Sequence, residues 1–145
     1  MTTATTNKSN AEEIYGNFTN VSRGTLLKGA AMAFTTTAAS VNGNNGVSPA
    51  VANNRSFAGI LDADVADGAT GRYIAYGFAA SVHIYSTGTA VTTNVGDAVG
   101  PGVAGSLGVN STGLRDVMGP VICMETAASG VNNGGGYIRG FVRAM

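Results

Sequence analysis

Arg72 to Tyr85 (RYIAYGFAASVHIY) constrains the fold more than any other part of this chain. Read on alternate positions, one face carries Ile74, Tyr76, Phe78, Ala80, Val82 and Ile84. The other carries Tyr73, Ala75, Gly77, Ala79, Ser81, His83 and Tyr85, which are smaller and more polar. Successive strand side chains point to opposite faces, so the alternation predicts a sheet with Ile74 through Ile84 as its buried side. A helix is excluded, because positions three and four apart mix apolar with polar groups and the β-branched and aromatic content is high. At ~3.3 Å per residue the strand would run ~45 Å, far longer than the usual strand. Gly77 is the expected bend or bulge that lets it curl around a core. The expected fold class is all-β: a small glycine-rich β-barrel or sandwich with an extended N-terminal arm.

Charged residues make up only 11% of the 145 residues, against about 25% in ordinary soluble domains. Acids and bases cancel at eight each, so neither nucleic acid nor an anionic membrane is an expected partner. Weak self-repulsion favours association, as in a protein that spends its life packed into an assembly. Cys123 is the single cysteine, which excludes an intrachain disulfide. The start, MTTATTNKSNAEE, lacks the basic and then apolar run of a signal peptide. Leu26 to Phe34 is interrupted by Lys28 and too short to span a bilayer. Synthesis and retention in a cytoplasm are expected.

Residues 1–24 are rich in Thr, Asn and Ser, with Ala11 to Tyr15 suited to one helical turn. They are expected to form an arm whose apolar pegs, Ile14, Tyr15, Phe18 and Val21, dock on a neighbour; a disordered tail is the plainer alternative. Residues 25–145 are expected to form the barrel domain. A strand ending near Phe34 precedes VNGNNG (Val41 to Gly46), whose two Asn-Gly pairs signal a turn. Phe57 to Leu61 is a short strand. After Tyr85, short strands are expected at Ala90 to Thr93, Ala98 to Val99, Leu107 to Val109, Val117 to Glu125 and Tyr137 to Arg143, with glycine-rich turns between.

Candidate chemistry is sparse. Gly100-Pro101-Gly102-Val103-Ala104-Gly105 has dinucleotide-fingerprint spacing, but the following residues hold Gly108 and Gly113 and cannot supply the helix whose N-terminus meets a pyrophosphate. Asp62, Asp64, Asp67 and Gly68 superficially resemble a calcium loop, yet the third acid is out of step and Tyr73 stands where the bidentate Glu belongs. His83 is the only histidine, and nothing marks a nucleophile or orienting acid for it; a structural role at a subunit contact is expected. Cys123 sits in an apolar run and is expected to be an inert core thiol. Asn17, Asn20 and Asn110 open glycosylation sequons that chance explains in so Asn/Thr/Ser-rich a chain. Arg139 and Arg143 flank Phe141 on one face of the last strand, a candidate interface with His83. No catalytic residue, metal, cofactor or small-molecule substrate is expected.

The order Phe57-Ala58-Gly59-Ile60, the long strand, Val95-Gly96-Asp97-Ala98-Val99, Gly108, Met118-Gly119-Pro120-Val121 and a closing strand through Val142 resembles the decoration, or cement, proteins of tailed-phage heads. The resemblance covers roughly Gly24 to Arg143 in short motifs whose order carries the match. It implies a β-barrel with no catalytic residues that docks through an arm. It also implies a homotrimer at threefold positions of an expanded capsid, with the major capsid protein as partner and the virion surface as location. Deleting Met1 to Gly24 is expected on this reading to leave a folded protein that no longer decorates capsids. A receptor- or carbohydrate-binding module of a phage fibre or cell surface is the alternative, using Tyr73, Tyr85 and Tyr137. A small hydrolase is a third reading, disfavoured by the single histidine and few acids.

Overall fold

A computed structural model describes residues 13–35, 44–49, 56–84, 94–101, 107–108, 119–126 and 136–144. They are all-β, built from β1 (Ile14–Asn20), β2 (Ala31–Phe34), β3 (Asn45–Val47), β4 (Phe57–Leu61), β5 (Thr70–Ile84), β6 (Ala98–Pro101), β7 (Leu107–Gly108), β8 (Val121–Cys123) and β9 (Gly136–Arg143). The sheet order is β1-β3-β2-β4-β5-β7-β6-β8-β9, with β1 and β9 each also returning to β5. Two circuits of pairing therefore share β5. Its first half, from Thr70 to Tyr76, closes a five-stranded ring with β1, β3, β2 and β4. Its second half, from Tyr76 to Ile84, pairs with β9 and β7, and the path continues through β6 and β8. Closure removes the free sheet edges that would otherwise template aggregation.

The length of β5 is what makes this arrangement possible, and it contributes side chains to two apolar clusters. Phe18, Leu26, Ala30, Met32, Ala58, Leu61, Val65 and Tyr73 form one apolar cluster. Ala31, Ile60, Ile74, Ala79, Val82, Ile84, Val99, Val121, Cys123, Ile138 and Val142 form the other. Burying each large aliphatic or aromatic side chain contributes roughly 1.5–3 kcal/mol against the entropy of ordering it. Gly16 is where the Tyr73 ring lies and Gly46 makes room for the Phe18 ring, while Gly71 lies against Val65 and the edge of Phe18; a Cβ at any of them would collide with those side chains. Phe18 and Tyr73 then meet edge to face with centroids 6.2 Å apart.

Strict alternation along β5 does not survive. Ile74, Val82 and Ile84 point inward as expected, but Ala79 is buried while Phe78 and Ala80 are exposed. Two irregularities cause this. The pairing with β1 jumps from Tyr15↔Ile74 to Ile14↔Tyr76, leaving Ala75 unmatched. The pairing with β9 shifts between Ala79 and Val82. Each extra residue transfers the following side chains to the opposite face. Gly77, where a bend or bulge was expected, has a left-handed backbone, φ 121°, but stays in register opposite Val142, with the irregularities on either side of it.

Of the arm expected over residues 1–24, only residues 13–24 are among the described residues, and their strand is built into the sheet. Ile14–Asn20 forms a strand that pairs along Thr70–Tyr76, so Ile14 and Tyr15, expected at the end of a helical turn, are extended. Phe18 is 1% exposed. The Thr- and Asn-rich composition misled because β1 needs only a few apolar side chains on its inner face, and Thr suits the outer face of a strand. Asn45 and Gly46, expected in a turn, lie in β3, parallel to β1 and antiparallel to β2. Of the strand expected from Val117 to Glu125, Val117 and Met118 lie outside the described residues, and among the rest Val121–Cys123 is strand. Residues 1–12, the strand expected at Ala90 to Thr93, Tyr85, residues 102–106 of the glycine-rich segment and Asn110 lie outside the described residues.

Candidate interaction surface

The outward face of β5 and β9 is the most distinctive surface among the described residues. On β9 the alternation is regular: Ile138, Gly140 and Val142 are buried, and Tyr137, Arg139, Phe141 and Arg143 point outward. Residues opposite one another on neighbouring strands share a face. The register thus carries an inner row, Val99–Val121–Val142–Gly77, and next to it an outer row, Ala98–Ile122–Phe141–Phe78, each crossing β6, β8, β9 and β5. Ala98, Ile122 and Phe141 are half-buried and Phe78 is 36% exposed. The adjoining outer positions are Arg143, Tyr76 and Ile14, also opposite one another. The Tyr76 and Phe141 rings meet edge to face at 5.1 Å. Ile14 is 44% exposed. The result is a continuous apolar band on the outside of a closed sheet.

Charged groups border the band. Arg139 donates from its backbone N–H and its Nε to the two carboxylate oxygens of Glu125, at 2.7 and 2.8 Å. That pairing holds the exposed Glu125 carboxyl below its ordinary range. Arg143 Nε reaches the Gly119 carbonyl at 3.3 Å. Beyond Ile14, the Tyr15 ring lies 4.3 Å under the Arg72 guanidinium, and Arg72 is paired with Asp62. The Tyr15 hydroxyl donates to Glu13, an arrangement that raises the Tyr15 pKa.

At the other end of β9, Tyr137 faces His83, its ring centroid 5.0 Å away and tilted by 35°. Burial holds the His83 imidazole below the usual histidine range. Beside Tyr137 is an open depression of about 330 Å³ lined by Leu27, Lys28, Asp64, Ser81 and Tyr137. A narrower one of about 170 Å³ lies between Tyr15 and Phe78, with Leu61, Ile74 and Ala79 among its lining residues.

The structure brings His83, Arg139, Phe141 and Arg143 to one outer face, with Ile14 at its margin. It does not bring Phe18 there, since that ring is core. Val21 is half-buried beside β3, its N–H bonded to the Gly46 carbonyl at 3.0 Å. Phe78, Tyr76 and Ile122 are the surface residues that sequence reasoning missed; the first two were assigned to the buried face because bulges leave no mark on an alternation pattern.

Three other groups have structural work. Asp62 pairs with Arg72, Asp64 accepts the Lys28 N–H at 2.7 Å and Asp67 accepts the Arg23 N–H at 2.9 Å. Among the described residues no group of three or more His, Cys, Asp or Glu side chains could hold a metal ion. Asn20, fully buried, donates to the Gly24 and Val65 carbonyls at 2.8 Å and accepts from Ser22 N–H and hydroxyl at 2.9 and 2.7 Å. That nitrogen is committed inside the fold, so the Asn20 sequon is incompatible with a glycan in the native state. Of the tyrosines nominated for a sugar site, Tyr73 is buried between Phe18 and Phe34 and only Tyr137 is exposed among the described residues.

No protein-family model matches the chain, and no characterised protein is significantly similar to it.

Proposed function

We propose that this chain is a structural protein of a viral head: a decoration protein that binds the outside of an expanded capsid as a homotrimer. The observation that carries the reading is the outward apolar row Ala98–Ile122–Phe141–Phe78, continued by Tyr76 and Ile14. A contiguous apolar patch on a closed barrel marks a surface that is covered in use. Its aromatic content and bordering arginines match the composition of protein interfaces. Low charge across the chain supports the same reading, since little repulsion opposes close packing of copies.

The mechanism is mass action. A ligand that binds only the mature lattice stabilises it by its binding free energy, and symmetry repeats that contribution over many copies. Three linked copies on one threefold position also bind with an effective concentration that separate copies lack. Ile14 and Tyr15, exposed at the start of β1, would contact the major capsid protein or a neighbouring subunit.

The test is light scattering across a dilution series, followed by co-sedimentation with expanded capsids. The expected mass is three times the 14.4 kDa chain mass, stable on dilution, with the protein pelleting with capsids. Phe78→Asp is expected to keep the fold, since Phe78 is partly exposed, and to abolish pelleting. A wild-type protein that fails to pellet with capsids refutes the reading, as does undiminished pelleting of Phe78→Asp.

A further inference from the structure

We infer that the depression beside Tyr137 is a saccharide-binding site, taking one ring of a neutral sugar against the Tyr137–His83 pair. The inference does not rest on the capsid reading: Tyr137 lies at the other end of β9 from Phe141, although Lys28 and Ser81 also line the depression beside Phe78.

The first observation is an exposed aromatic ring held in place. Tyr137 is 55% exposed, far more than a tyrosine that serves a core, and it is backed by His83 at 5.0 Å. The His83 backbone N–H is bonded to the Gly29 carbonyl at 2.8 Å, which ties the strand that carries the imidazole to the loop that carries Lys28. A ring whose orientation is set before binding loses little freedom when a ligand stacks on it. Its electron-rich face is complementary to the C–H face of a pyranose.

The second observation is the set of polar groups around that ring. The depression of about 330 Å³ is lined by Lys28, Asp64, Ser81 and Leu27 as well as Tyr137. Asp64 uses Oδ1 to accept the Lys28 N–H at 2.7 Å, which fixes the loop and leaves Oδ2 as an acceptor. Lys28 supplies an ammonium donor and Ser81 a hydroxyl that both donates and accepts. Neither the Lys28 ammonium nor the Ser81 hydroxyl has a hydrogen-bond partner among the described residues. One cation and one anion at the rim favour a neutral ligand with hydroxyls of both polarities. The volume lies at the small end of ligand sites, the size of one or two sugar rings. An open, single-ring site implies weak binding, a dissociation constant on the order of 1 mM for a free monosaccharide.

The experiment is an amide-resolved NMR titration of the full chain with glucose, galactose, mannose and N-acetylglucosamine, each into the tens of millimolar, with a glycan array run in parallel. The expected result is that at least one sugar shifts the Lys28, Asp64, Ser81 and Tyr137 signals together. Transferred NOEs from the Tyr137 ring to sugar C–H protons are expected in the wild type, and this readout needs no variant. Tyr137→Ala is expected to weaken binding by about tenfold or more, whereas Tyr137→Phe, which keeps the ring, stays within about threefold. No shift with any of these sugars together with an empty array overturns the inference. So do shifts confined to another surface, or a Tyr137→Ala protein that binds as well as wild type.

Discussion

Replacing Phe18 by alanine separates two pictures of the N-terminal segment. If Phe18 were a peg on a projecting arm, the change would leave the barrel intact and weaken docking alone. In the structure Phe18 is 1% exposed, meets Tyr73 edge to face at 6.2 Å and lies over Gly46 and Gly71. Burial of the ring is worth roughly 3 kcal/mol by transfer, and the cavity left behind adds to it, because strands tied into a ring collapse poorly. The expected cost is about 3–5 kcal/mol, a large share of the ~5–15 kcal/mol that holds a domain of this kind together. For a chain of this length that lowers the melting temperature by on the order of 10–15 °C. Ile14→Ala is the control: at 44% exposed, Ile14 should cost less than about 1 kcal/mol. The assay is urea unfolding followed by far-ultraviolet circular dichroism, with both variants and wild type on the same buffer. Phe18→Ala within about 1 kcal/mol of wild type would refute the placement of β1 in the barrel. The same logic reverses the expectation for a deletion of residues 1–24. It removes the partner of Thr70–Tyr76, so the truncated chain should lose cooperative unfolding, and a cooperative, near-wild-type melt would count against this structure.

Asn20→Asp should destabilise by about 2–4 kcal/mol, because a carboxylate cannot donate to the Gly24 and Val65 carbonyls and buries a charge against them; an unchanged urea midpoint would contradict that network. Burial, with Asp97 nearby, pushes the Cys123 thiol up to about 12, so the native protein should resist iodoacetamide at pH 8 and react fully in urea, as read by mass spectrometry. His83 titrates below its ordinary range when folded, so the unfolded chain binds its proton first. Stability should therefore fall as pH drops through about 6.5 and level off below the folded-state value. Urea midpoints at pH 8 and pH 5 should show wild type losing stability relative to His83→Gln on acidification; a pH-independent difference would contradict the burial of His83.

Much of the fold is written in local pattern. The run of β-branched and aromatic residues from Thr70 to Ile84 specifies a strand wherever it is placed, and Phe57–Leu61, Ala31–Phe34 and Gly136–Arg143 are likewise self-declaring. On β9 the pattern also predicts orientation, because its alternation is uninterrupted, and Arg139, Phe141 and Arg143 were legible as an outward stripe from spacing alone. Glycine and short strands point to closure, since a chain with many turns and few charges has little else to cover its edges.

What the sequence could not decide is which partner each strand finds. Backbone pairing reads no side-chain code, so nothing in IYGNFTN announces that it lies along Thr70–Tyr76, or that Asn45–Val47 lies parallel to it. The unmatched Ala75 and the shift between Ala79 and Val82 exist only relative to β1 and β9, yet they turn Phe78 outward and Ala79 inward. The chain alone therefore determined that this protein is made of strands joined by glycine-rich turns. The tertiary structure alone decided that Phe18 is core and Phe78 is surface, because a side chain's face is set by register, and register is a property of two strands together.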